Sequence, residues 1–214
     1  LRFSANYTLS HTRDDGTFLT FVSTPEDLFN RKLERADSVQ DVRHRFVSNF
    51  TANTSNHGFV RNFDFSGIVT LQSPRPFTIF VGNDINGDTN PVTDRVGWSP
   101  RNSYRGDDFY TTDLRLARTL HFNERMAMNV ALDAFNLFNR QNINEVTSVY
   151  GGGSIGFCGA PPTHYNDPAS VAIQQGTVSC PADNGGSPSP NPLFGIPRTM
   201  FNPRQLQISA KFMF

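Results

Sequence analysis

Apolar and polar side chains alternate over the last nine residues, Leu206-Gln207-Ile208-Ser209-Ala210-Lys211-Phe212-Met213-Phe214. In an extended chain Leu206, Ile208, Ala210, Phe212 and Phe214 share one face, and the other is mostly polar. A strand crossing a bilayer at a tilt needs this period over about 9–11 residues, and a half-buried strand of a soluble sheet needs it equally. The chain opens the same way: Leu1, Phe3, Ala5, Tyr7 and Leu9 alternate with Arg2, Ser4, Asn6, Thr8 and Ser10. Further strands are predicted over residues 45–52, 63–71, 112–122 and 128–134. Arg118 interrupts the apolar face of the fourth of these six strands, at a place where a long cationic side chain can snorkel to an interface.

The connections decide between the two readings. From 11 to 41 the alternation stops and charge rises, and Thr24-Pro25-Glu26-Asp27 supplies the cap, proline and acids that predict a short helix. Ser55-Asn56-His57-Gly58 offers a tight turn, Pro74 and Pro76 oppose further pairing, and polar sequence then continues to about Gly106. His121-Phe122-Asn123-Glu124-Arg125 is a second tight connection, and 140–203 is rich in Gly and Pro without sustained alternation. The connections therefore run long, short, long, short, long. Outer-membrane barrels sort their loops this way, with short turns on the periplasmic side and long loops outside, whereas a soluble sandwich has no reason to.

The expectation is an all-β fold: about six strands of an antiparallel up-and-down transmembrane β-barrel in the cell outer membrane. Long extracellular loops fall at about 11–41, 73–106 and 140–203. Six strands are too few to close an aqueous barrel, which takes about eight, so further strands are expected from elsewhere. Composition agrees with this picture. Hydrophobic residues make up 37%, and no apolar run approaches the length of a membrane helix. Lys+Arg and Asp+Glu balance at 19 each, which argues against nucleic acid as a partner. Phenylalanine is abundant, 20 residues in a chain only 18% charged, as expected where rings face lipid. The start at Leu1, without a signal peptide, reads as a mature piece or a fragment.

At Arg43-His44-Arg45-Phe46-Val47, Thr70-Leu71-Gln72-Ser73-Pro74-Arg75-Pro76-Phe77-Thr78, Asp84-Ile85-Asn86-Gly87-Asp88, Asp113-Leu114-Arg115-Leu116 and Ala134-Phe135-Asn136-Leu137-Phe138-Asn139 the chain resembles TonB-dependent outer-membrane receptors. The likeness is strongest to the Oar-like subgroup, which carries a carboxypeptidase-regulatory-like domain. The resemblance implies that these are the last strands of a 22-stranded barrel, with a plug, a TonB box and an amino-terminal domain that are absent from these residues. It also implies that Phe212 and Phe214 belong to the signal read by the outer-membrane insertion machinery. The expected function is TonB-dependent uptake or binding of a large or scarce ligand, with outer-membrane lipid and the TonB system as partners. The alternative is a structural or adhesive surface protein that the barrel anchors.

Asp84, Asn86, Asp88 and Asn90 place oxygen ligands at alternate positions and are a candidate calcium loop. The spacing departs from the EF-hand, because Gly87 is fourth and Arg95 twelfth, and a turn-rich surface loop reads equally well. No other cofactor is expected. Cys158 and Cys180 fall in the longest loop, and in an oxidising compartment they are candidates for a disulfide. Arg105-Gly106-Asp107 matches an adhesion tripeptide and reads as loop chemistry. The five histidines, His11, His44, His57, His121 and His164, are scattered without a metalloprotease or hydrolase motif, so no enzyme activity is expected.

Overall fold

The structure is a computed structural model and describes residues 1–16, 25–27, 29–54, 61–90, 93–151, 156–179 and 190–214. Six strands form one antiparallel sheet: β1 (Arg2–Leu9), β2 (His44–Asn53), β3 (Phe63–Gln72), β4 (Phe109–His121), β5 (Ala127–Phe135) and β6 (Gln205–Met213). They lie side by side in chain order, so the topology is up-and-down. β4 begins three residues before the sequence alternation does. Phe109, Tyr110 and Thr111 have no two-faced pattern, yet they pair with Gln72, Leu71 and Thr70 of β3, and the ladder extends them. β1 and β6 have one neighbour each, and the six strands make an open sheet.

The register sorts the sheet into two faces. One cross-strand row runs Phe3, Phe50, Gly67, Leu114, Ala134, Leu206, and the next in the same phase runs Ala52, Phe65, Leu116, Leu132, Ile208. The opposite face carries rows such as Arg2, Thr51, Ser66, Arg115, Asp133, Gln207. Gly67 has a packing reason: an added Cβ would lie 2.6 Å from both Leu114 Cδ2 and Phe50 Cε1. Phe50 in turn packs on Phe65, with ring centroids 5.2 Å apart. Among the described residues no layer covers the apolar face. Phe3 is 68% exposed, Ile208 79% and Phe212 65%. An apolar surface this continuous is stable only against another apolar phase.

The two ends of the sheet differ. At one end β2 returns to β3 through a connection whose neck is closed by Thr54 N donating to Phe63 O and Phe63 N donating to Thr54 Oγ1. The turn itself, 55–60 with His57, lies outside the described residues. β4 returns to β5 through a turn in which Asn123 Oδ1 accepts from the amides of Arg125 and Met126. At the other end three long connections carry structure of their own. The first pairs Arg13–Asp14 with Ala36–Asp37, the second pairs Pro76–Phe77 with Tyr104–Arg105, and the third pairs Ile143–Val146 with Pro197–Met200.

The helix expected at Thr24-Pro25-Glu26-Asp27 does not form there. Residues 25–27 are not helical, Thr24 lies outside the described residues, and a 3-10 turn follows only at Arg31–Glu34. Glu26 is committed instead to a buried ion pair, described below. The helix that does form, α1 (Pro168–Gln174), sits in the stretch read as an unbroken loop. It starts where Asp167 accepts from the Ser170 amide, with Pro168 at the first position. The hydrophobic core also lies among the long connections: Ile79, Val81, Val96, Tyr104, Val146, Tyr150, Ile173 and Phe194 bury one another. The second and third connections thus form a packed cap over one end of the strand wall.

Candidate functional site

The neck where wall meets cap is held by asparagines. Asn136 and Asn139, the first and last residues of the Asn-Leu-Phe-Asn run after β5, are both left-handed, with φ of 48° and 53°, a conformation asparagine tolerates better than most side chains. Asn136 is buried. Its amide N–H donates to Asp113 Oδ1 at 2.9 Å, its side-chain oxygen accepts from Arg140 N, and its Nδ2 donates to the carbonyls of Arg140 and Asn202. Asn139 Oδ1 accepts from Arg204 N, which ties the start of the third connection to its end just before β6. Buried Asn142 mimics a strand partner for Tyr110, accepting from its N–H at 2.9 Å and donating to its carbonyl at 2.7 Å. The Arg140 guanidinium lies 4.1 Å from the Tyr110 ring centroid and pairs with Asp107 at 3.0 Å.

The first connection joins the second through buried charge. Arg95, 4% exposed at its side chain, pairs with Glu26 and Glu34, whose side chains are 2% and 8% exposed. Arg95 N also donates to Glu26 Oε1, and Arg101 Nε donates to the Glu34 carbonyl. A second group sits nearer the wall, where Arg105 pairs with Asp37 and Asp41 and Arg43 reaches the same two carboxylates. Burial pushes the Asp41 carboxyl up, but the Thr12 amide, Arg105 and Arg43 outweigh it and hold the group below its ordinary value. Asp14 is lowered in the same way, with burial opposed by Ser38 and Arg101. Glu26 goes the other way, because burial outweighs Arg95 and raises it.

Aromatic packing joins the second connection to the third. Tyr104 and Tyr150 each meet Phe194 edge-on, with centroids 5.4 and 5.8 Å apart. Burial pushes the Tyr104 hydroxyl up to about 12, against a contact from Ser170 that favours ionisation. Beside the neck, on the polar side of the wall, lies a cavity of about 340 Å³ lined by Phe109, Thr111, Asp113, Phe135, Asn202 and Gln205 among others. Phe109 and Phe201 form its aromatic corner, with centroids 5.1 Å apart. Rings next to amides and a carboxylate suit a ligand with both apolar and hydrogen-bonding surface.

The family model described as an outer membrane beta barrel domain matches residues 1–96 and 89–160. The chain belongs to that family. This barrel domain is therefore an outer-membrane protein, and its six-stranded up-and-down sheet is barrel wall. No curated protein and no solved structure matches it.

Several residues singled out in the sequence of the barrel domain have structural occupations. Asp84, Asn86 and Asp88 each accept from backbone amides: Asp84 from Gly87 and Thr89, Asn86 from Asp88, and Asp88 from Asn90. The run is thus a succession of side-chain-capped turns, further fixed where buried Asp94 accepts from the amides of Ile85 and Asn86. Among the described residues His11, Asp37 and Asp41 bring three ligand atoms within 4.8 Å of one another. Arg105 and Arg43 already pair with these carboxylates and oppose a cation there. The sequence contained no periodic signal for this cluster, whose members come from the two ends of the first connection, His11 from one and Asp37 and Asp41 from the other.

Cys158 is buried and disulfide-bonded, and Cys180 lies outside the described residues. The adhesion-like tripeptide is used internally: Arg105 pairs with Asp37 and Asp41, Gly106 N donates to the Arg75 carbonyl, and Asp107 pairs with Arg140. His11 contacts Asp37, His44 contacts Tyr7, His121 contacts Asn62 and His164 contacts the Tyr165 carbonyl, which are four separate places. Phe212 lies on the apolar face of β6, and Phe214 is fully exposed just beyond the strand's end.

Proposed function

We propose that this barrel domain is the carboxy-terminal wall and outer cap of a TonB-dependent receptor for a large or scarce ligand. Its apolar face meets lipid, its polar face lines the lumen, and the cap captures ligand at the outer end. The observation that carries this reading is the packing of the long connections into one body beside the neck cavity. Floppy loops would lose much conformational entropy on gripping a ligand, and a preformed cap has already met that cost in folding. The aromatic and amide lining of the cavity suits recognition rather than chemistry. No catalytic role is proposed for any residue.

In this reading Phe212 and Phe214 present the wall to the outer-membrane insertion machinery, and energy reaches the lumen through a plug contacted by TonB. Intact mass and amino-terminal sequence of the native polypeptide, purified from outer membranes, test it. A far larger chain that carries a plug and a TonB box supports the receptor. A native polypeptide lacking both contradicts energised transport and leaves the structural or adhesive anchor.

A further inference from the structure

Arg118 is the only charged side chain on the apolar face of the six strands: the register places it between Phe63 of β3 and Val130 of β5, in phase with Leu116 and Leu120. Its guanidinium lies 4.8 Å from the Phe63 ring centroid. It makes no ion pair among the described residues, and its Nε is shielded from solvent without a hydrogen-bond partner. Elsewhere the chain pairs its shielded arginines: Arg95, Arg101, Arg105 and Arg140 all meet carboxylates. Arg118 is therefore a positive charge that the described residues orient but do not neutralise.

Its depth says what neutralises it. Arg118 stands three residues before the end of β4 and beside Phe63, the first residue of β3, which places it near the short-turn end of the wall. That end faces the periplasm in an outer-membrane barrel, and a long cationic side chain there snorkels to the headgroup level. Guanidinium groups bind phosphate through paired N–H donors, and with no carboxylate among the described residues to satisfy Arg118 a net negative headgroup is favoured over a zwitterionic one.

We propose that Arg118, backed by the Phe63 ring, is a binding site for the phosphate of an anionic phospholipid in the periplasmic leaflet. The inference rests on the reading that the apolar face meets lipid, and the test separates the two. Tryptophan is placed at Val130 in a Trp98→Phe background, and the full polypeptide is reconstituted in bilayers of phosphatidylglycerol mixed with phosphatidylcholine, either one brominated in its acyl chains. Competition between the two lipids for quenching gives their relative affinity at this spot. Phosphatidylglycerol is expected to be preferred about fivefold. Arg118→Gln should bring the ratio to about one, and Arg118→Lys should retain a preference. A ratio that is unchanged in Arg118→Gln overturns the phosphate site while leaving the lipid-facing wall intact. Absence of quenching by either lipid overturns the lipid-facing wall and the site with it.

Discussion

Asn136 and Asp113 join the exit of β5 to the flank of β4, through an amide hydrogen bond of 2.9 Å made from a left-handed backbone. The same asparagine grips Arg140 and Asn202 through its side chain, so one residue serves both ends of the third connection. Asn136→Ala removes the side-chain bonds and places a Cβ residue without compensation at positive φ, at an expected cost of about 2–4 kcal/mol. Asn136→Gly removes the backbone strain and should cost about 1 kcal/mol less. Limited trypsin cleavage at Arg140 in isolated outer membranes, followed against temperature, measures both.

Arg95 sits between two buried acids, and breaking such a group is far more costly than replacing it whole. Arg95→Met leaves Glu26 uncompensated and Glu34 with only Arg101, at 3.9 Å, and should destabilise the cap by about 3–5 kcal/mol. Adding Glu26→Gln and Glu34→Gln should recover most of that loss. The thermal midpoint for protease resistance of the loops separates the single from the triple variant.

Legibility followed periodicity. The strand wall was readable because each strand keeps one apolar face, and because a ladder with a fixed register repeats that face in Phe65, Leu116, Leu132 and Ile208. The first three residues of β4 were missed since their pairing comes from β3 and not from their own pattern. The cap was illegible for another reason. Its core residues come singly from distant places, Ile79 and Val81 in one connection and Ile173 and Phe194 in another, with no period to mark them. The α1 signal was present in Asp167-Pro168 but stood in a Gly- and Pro-rich stretch that reads as loop. For the run 84–90, alternating oxygen side chains serve turns and cations alike, and the hydrogen bonds place Asp84, Asn86 and Asp88 in turns.

The ionic seam sets an acid limit on the cap. Asp14 and Asp41 sit below their ordinary value of 3.8 in the folded chain. Their stabilisation is complete above 3.8 and is lost as pH falls through the lowered folded values. Glu26 is raised above 4.5, so its ionisation costs stability as pH rises from 4.5 through its folded value. Protease resistance of the loops should fall on acidification below about 3.8, and Glu26→Gln should remove the shallow decline above 4.5. Resistance that is flat from pH 5 down to 2 would contradict the seam.

Gly67 holds a tight place on the apolar face. Gly67→Val must displace Phe50 or Leu114 and should cost about 1–3 kcal/mol. Gly67→Ala needs only part of that movement and should cost less. Heat-induced loss of the folded band in unboiled gel electrophoresis ranks the pair.

In an outer-membrane barrel wall the apolar face of this sheet meets lipid and the polar face does not. Single tryptophans at Leu116, Arg115, Leu132 and Asp133, each in a Trp98→Phe background, sample two cross-strand pairs on opposite faces. With the polypeptide in bilayers, brominated acyl chains should quench positions 116 and 132 strongly and positions 115 and 133 weakly. Equal quenching on both faces, or the reverse order, would contradict the account.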